Sequence, residues 1–316
     1  MIGRRLARVV GAVERRLWPR SPVILIYHRI AGPERDLWGL AVSPEAFAEQ
    51  IQALQGVRQV VSLAELTRRA REGGGGDRPL AAITFDDGYH DAFSAARPVL
   101  HRLDCPATVF VTAGLVDSGR EFWWDELEFI FLRTDTLPSS LPADLAGAAK
   151  ATQLPDAAAR RGTCHALRRQ FRDMTPAAIE ARLAGLRAWA AVARPAREEY
   201  RAMTAGEVAA LSDGLVAVGA HTMTHPSLPR LSPQAQRAEI AESRRRCEAM
   251  TGGPVTQFAY PFGHYNAASV AAAQEAGFTL ACATTPGVVR PWSDPFALPR
   301  LAPGGMDGEA LLRALA

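Results

Sequence analysis

Two carboxylates stand side by side at Asp86 and Asp87, where the apolar run AAITF meets Gly88. A buried strand has little reason to end in two like charges. An acidic residue does favour the start of the helix that follows, here near Asp91, by accepting its free N–H groups. One carboxylate suffices for that, so the second implies a partner elsewhere. The segment GAHTMTHPSL offers one, with His221 and His225 four residues apart. Two imidazoles at that spacing converge on one metal if the chain turns after His221. Without the aspartates the pair would read more readily as two partly exposed loop histidines. One aspartate with two histidines makes three protein ligands and leaves a position open, the composition of a catalytic zinc-type site and not of a structural one. The remaining aspartate is then free to take a proton from an attacking water. Spacing does not say which aspartate takes which role.

The elements that must position these side chains alternate along the chain. VILIYHRI (23–30), AAITFDDG, PATVFVTAGL (106–115), LVAVGAHT, VTQFAYPFG and TLACATT are continuous apolar runs of strand type. Between them lie helix starts such as Ser43-Pro44, Ser62 with Glu65, and Ser232-Pro233. Apolar strands separated by helices imply a parallel sheet buried on both faces. No nucleotide-binding glycine motif is present, which favours a barrel, whose active residues sit at the C-terminal ends of its strands. The expected fold class is α/β. Residues from about 120 to 212 break the rhythm and read as a helical insertion between two barrel strands, with helix starts at Thr175-Pro176 and Thr204.

Length and composition fit that reading. At 316 residues with 48% apolar content, the chain holds a sizeable core, and a net charge of +3 does not argue for a nucleic-acid partner. Four scattered cysteines suggest neither a zinc knuckle nor a disulfide framework. Six arginines fall within residues 1–20, and Ile2, Leu6, Val9, Val10, Val13 and Leu17 recur there at helical spacing. A basic amphipathic helix of this kind packs on its own domain or lies on an anionic membrane. No apolar run approaches the ~18 residues of a membrane span. The expected location is the cytoplasm, with peripheral contact at the inner face of the membrane.

TFDDG, H-T-M-T-H and YPFG, in that order on those elements, resemble the polysaccharide deacetylase family, also called the NodB-homology or carbohydrate esterase four family. The resemblance spans roughly residues 22 to 301 apart from the insertion. It implies a distorted (β/α) barrel over 21–316 that removes acetyl groups from N-acetylated amino sugars with a divalent metal. Zinc is the first expectation for that metal, with cobalt, nickel and manganese as alternatives. Carried onto this chain, it makes Asp86 the catalytic base and Asp87, His221 and His225 the metal ligands. It also assigns an oxyanion-holding backbone N–H to Phe262.

Two departures from the family pattern stand out. An arginine that orients the base in many members is replaced here by Ala259. The Leu-x-His that supplies a general acid is matched by FALPRLAP, which has no histidine. A departing amine still needs a proton. His28, at the end of the first strand, is the expected donor, followed by His264 and His90, and Arg300 is placed to stand in for the missing arginine. Trp123 and Trp124 open the insertion as core residues or as a wall for a sugar ring. Alternative readings are hydrolysis of another amide, such as a cyclic ureide or formamide, and an inactive carbohydrate-binding barrel.

Overall fold

Each apolar run folds as a short strand, and each Ser/Thr start signal opens a helix. The structure, a computed structural model, describes residues 20–315 apart from 35, 74–76 and 135. The expected N-terminal helix therefore lies outside the described residues, save Arg20. Strands β1 (Val23–Tyr27), β2 (Gln59–Val60), β3 (Leu80–Phe85) and β4 (Ala107–Val111) alternate with helices α1 (Pro44–Val57), α2 (Leu63–Arg71) and α3 (Arg97–Arg102). The insertion carries α4 (Trp123–Leu132), α5 (Ala157–Phe171) and α6 (Pro176–Ala190). After α7 (Ala205–Leu211) the alternation resumes with β5 (Val216–Ala220), α8 (Pro233–Thr251), β6 (Gln257–Ala259), α9 (Ala267–Glu275), β7 (Leu280–Cys282) and α10 (Gly308–Leu315). Ser43, Ser62, Thr175, Thr204 and Ser232 each accept a backbone N–H at a helix start. Such caps contribute about 1 kcal/mol apiece. Among the described residues no helix is long and apolar enough to cross a membrane.

The strands form one parallel sheet in the order β1–β3–β4–β5–β6–β7, with β2 also on β3. It curls until its edges meet a shared segment, 298–301. Leu298 pairs with Cys282 on β7, and Leu301 pairs with Leu25 on β1. Alternate strand residues separate into different clusters. Val23, Leu25, Ile83 and Phe85 pack with Phe47, Ile51 and Leu54 of α1, whereas Ile24 and Ala82 pack with Phe110 and Leu298. That is the period of two expected of a sheet buried on both faces.

Two runs end earlier than expected. β4 stops at Val111 because the following backbone leaves the ladder to hold loops: Thr112 N–H donates to the Asp87 carbonyl at 3.0 Å, and Ala113 N–H to the Thr222 carbonyl at 3.0 Å. VILIYHRI breaks at His28, and Arg29–Ile30 pairs instead with Ala41–Val42. The insertion has a core of its own, with Leu127, Phe131, Leu167, Phe171, Leu183 and Leu186. Toward its expected limit near 212, Met203, Val208 and Leu211 pack in the barrel core with Val216. A start signal at Thr204 marks a helix but not the core it joins.

Candidate metal centre and catalytic residues

β3 delivers the two aspartates by turning sharply. Asp86 N–H donates to the Tyr27 carbonyl of β1 at 2.9 Å. Asp87 (φ 74°) and Gly88 (φ 84°) then both lie in the left-handed region. A Cβ on Gly88 would approach Val111 to 3.2 Å, so a larger residue there would be strained and crowded. β5 ends in a comparable turn. Thr222 (φ 66°) and His225 (φ 55°) are left-handed, and the Thr222 hydroxyl accepts the His225 N–H at 3.0 Å. This turn after His221 brings the second imidazole back to the first. Phe262, in the turn after β6, has φ 59°. Four of the seven non-glycine residues with positive φ among the described residues therefore surround one point. Such conformations cost about 1–3 kcal/mol each and collect at functional sites.

Asp87, His221 and His225 are buried there with one ligand atom each, all within 4.8 Å of one another. His221 Nε2 lies 3.5 Å and His225 Nε2 3.2 Å from Asp87 Oδ1. His221 Nδ1–H donates to the Ala259 carbonyl at 2.8 Å, which turns Nε2 toward the cluster in the manner usual for a metal-ligating histidine. Burial opposes ionisation of Asp87, but hydrogen bonds from both histidines hold its carboxyl well below the usual range. Burial holds the His225 imidazole neutral, the ligating form, against the attraction of Asp87. His221 is pushed up instead: burial opposes its charge, and the carboxylates of Asp86 and Asp87 outweigh that. The donor set of one carboxylate oxygen and two imidazole nitrogens suits a divalent first-row metal.

Asp86 faces Arg300. Nη1 donates to Oδ1 at 2.6 Å and Nη2 to Oδ2 at 2.7 Å, a two-point ion pair with both side chains buried. Arg300 also donates Nε–H to the Ala283 carbonyl at 2.8 Å and Nη1–H to the Thr84 hydroxyl at 3.2 Å. Burial raises Asp86, yet Arg300, then His221 and His28, bring it below the ordinary carboxylate range. Arg300 comes from the closing segment 298–301, so the barrel's closure and the orientation of Asp86 rest on the same four residues. Ala259, at the arginine position of the family pattern, instead uses its carbonyl to orient His221.

The histidines named as proton donors occupy different settings. His28 sits half-buried at the break after β1, near both aspartates. At His264, Arg172 donates to Nε2 at 2.9 Å, which leaves Nδ1–H to donate to the Ser227 hydroxyl at 3.0 Å. That imidazole is held as a neutral structural link. His90 lies 3.0 Å from the Glu207 carboxylate on α7 and belongs to the packing of that helix. Phe262 packs its ring on His225, centroids 4.6 Å apart, and its backbone N–H has no acceptor among the described residues.

The insertion also reaches the site. Trp124 is buried with its ring 4.8 Å from His225 and stacked on Phe122 at 4.6 Å. Its indole N–H donates to the Tyr89 hydroxyl at 2.7 Å, and that hydroxyl donates to Asp125 at 2.5 Å. Burial pushes the Asp125 carboxyl up to about 8. Sequence reasoning missed this chain and the buried Arg29–Asp91 pair at 2.9 Å. Asp91 accepts from Arg29 and the Ile30 N–H and makes no helix cap. The available signal was YHDAF itself, a tyrosine and an aspartate just past the motif on the same turn.

Comparisons with known proteins bear on the fold and the family. The family model described as polysaccharide deacetylase matches residues 73–134 and 192–281, reaching into both ends of the insertion. A Bacillus subtilis (strain 168) protein described as a putative polysaccharide deacetylase, YxkH, is 32% identical over 96 residues. That alignment covers 30% of this chain and only 34% of the relative. Among solved structures, the Streptococcus pyogenes deacetylase PplD, in complex with acetate, superposes with a TM-score of 0.62 at 19% identity, covering 94% of this chain and 98% of that one. IcaB from Ammonifex degensii gives 0.59 at 19% identity, covering 94% and 96%. At these identities the structural likenesses establish the shared fold.

Proposed function

We propose that this chain, which the polysaccharide deacetylase family model matches over residues 73–134 and 192–281, hydrolyses the acetamide of an N-acetylated amino sugar in a polysaccharide or carrier-linked glycan, releasing acetate and a free amine. One observation carries the reading: a buried Asp87–His221–His225 triad adjoins an aspartate that a buried arginine holds ionised. A pure binding protein has no use for the second, oriented carboxylate. A divalent cation held by Asp87, His221 and His225, zinc being our choice, supplies Lewis acidity that polarises the amide carbonyl and lowers the pKa of water toward ~7.

The chain's own groups account for the remaining steps. Arg300 uses one lone-pair direction on each Asp86 oxygen, and a carboxylate has about four such sites. Asp86 therefore keeps room to accept the proton of the attacking water. The Phe262 N–H stands beside the cluster as a donor for the carbonyl oxygen as it gains charge. The C–N bond then breaks, with the nitrogen taking a proton from His28. Acetic acid leaves with the second water proton and ionises to acetate, and a proton passing from Asp86 back to His28 restores the starting state.

Acetate and free amine are the products to measure, on N-acetylglucosamine oligosaccharides with metal-loaded and chelated protein. We expect equimolar acetate and amine from the loaded protein and loss of both on chelation. Turnover of a cyclic ureide or formamide without acetate release from any oligosaccharide would replace the reading.

A further inference from the structure

We infer that Glu239 on α8 is a positioning residue for the candidate metal site: its carboxylate holds the turn that carries His225, so the second imidazole is in place before a cation arrives. The inference rests on the metal reading above and names a residue outside the three motifs. Oε2 accepts the Met223 N–H at 2.8 Å and the Thr224 N–H at 2.9 Å. Oε1 accepts the Thr224 hydroxyl at 2.6 Å. One side chain thus grips two successive peptides between Thr222 and His225.

That stretch does not hold itself. Thr222 (φ 66°) and His225 (φ 55°) have left-handed backbone, uncommon for any residue but glycine and least favourable for a β-branched one. Strained turns of this kind persist only where the surroundings over-determine them. Here the loop after β4 takes the carbonyls and Glu239 takes the N–H groups. Ala113 N–H donates to the Thr222 carbonyl and Gly114 N–H to the Met223 carbonyl, both at 3.0 Å. The approach is close, since a Cβ on Gly114 would lie 2.3 Å from the Met223 oxygen. The His225 N–H closes the turn from within, donating to the Thr222 hydroxyl at 3.0 Å. Of the three N–H groups from Met223 to His225, two therefore depend on Glu239.

His225 needs this support more than His221 does. A metal-ligating histidine is ordinarily oriented by a hydrogen bond at its other ring nitrogen. His221 has one, from Nδ1–H to the Ala259 carbonyl at 2.8 Å. His225 Nδ1 is buried with no hydrogen-bond partner among the described residues. Its ring is confined by Trp124 and Phe262, at centroid distances of 4.8 Å and 4.6 Å, and otherwise by its own backbone. A shift of the turn therefore carries Nε2 away from Asp87, now 3.2 Å distant.

Zinc titration of the metal-free chain against a competing chelator tests this, with amide exchange followed by NMR. Glu239→Gln keeps an acceptor for both N–H groups, whereas Glu239→Leu keeps the bulk and removes both oxygens. Glu239→Leu should weaken zinc binding about tenfold to a hundredfold, and Glu239→Gln about threefold or less. Without metal, the His225 N–H, which Glu239 does not touch, should exchange at least about tenfold faster in Glu239→Leu. Glu248→Leu loosens the same helix where Glu248 accepts the Val255 N–H at 3.1 Å, and should leave zinc affinity within about twofold. Zinc affinity that tracked thermal stability in every variant, Glu248→Leu included, would make Glu239 a helix anchor and overturn the inference. So would unchanged zinc affinity or His225 exchange in Glu239→Leu, or equal losses in the Gln and Leu variants. If Glu239→Leu does not fold, Thr224→Val, which removes one of the three bonds, should still weaken zinc about twofold to fivefold. No change in that variant overturns the inference. Tight zinc binding by the wild type would leave the metal reading standing in each of these cases, and its absence would overturn both.

Discussion

Arg300 and Asp86 show how one pair couples stability to chemistry. Both are buried, so removing the guanidinium leaves an uncompensated charge, which costs about 3–5 kcal/mol in comparable pairs. Arg300→Met should lower stability by that order near neutral pH. Asp86 has its folded-state pKa depressed, so the pair's contribution is present above the unfolded value of ~3.9 and is lost as pH falls through the folded value. The stability gap between Arg300→Met and wild type should therefore narrow on acidification, read by denaturant unfolding from pH 7 down to 3. A gap independent of pH would mean that Arg300 contributes packing and not charge. His28 makes a separate prediction. His28→Ala should lower turnover of an acetamide about a hundredfold, and of an aryl acetate much less, because a phenolate leaves without a proton. Equal losses on both substrates would give His28 a binding or shaping role.

At the scale of elements, α4 joins the insertion to the candidate metal site through Trp124, Tyr89 and Asp125. Burial pushes the Asp125 carboxyl up to about 8, so the folded chain holds a proton there that the unfolded chain releases above ~3.9. Stability from this group declines between those values, at most by about 1.4 kcal/mol per pH unit. Asp125→Asn keeps an acceptor for the Tyr89 hydroxyl and removes the titration. Relative to wild type, the variant should gain stability from pH 4 to 8, and a flat difference would show Asp125 ionised in the folded protein. Sequence patterns revealed the barrel strands because parallel strands buried on both faces are continuously apolar, and revealed helix starts because caps are local. The closing segment has no strand pattern of its own and was legible only through the family resemblance: FALPRLAP carries two prolines, and only Leu298 and Leu301 pair. Arg300 could be named from its place beside the missing motif, but its two-point grip on Asp86 required the closure itself. The link from His264 to Arg172 joins residues 92 apart across two cores, and no local pattern encodes such a contact.

Across the whole molecule, the barrel strands position Asp86, Asp87, His221 and His225, and the insertion sets Trp124 against His225. Asp86 and Asp87 are adjacent in sequence, yet the left-handed turn at Asp87 sends their side chains to different partners, an arginine for one and two histidines for the other. The account stands on that division of labour. Measuring metal content and acetate release together on Asp86→Asn and Asp87→Asn tests it most directly. Asp86→Asn should hold about one metal per chain and lose about two or more orders of magnitude of acetate release, as for a missing general base. Asp87→Asn should lose tight metal binding and acetate release together. Full metal occupancy in Asp87→Asn, or loss of metal in Asp86→Asn alone, would contradict it.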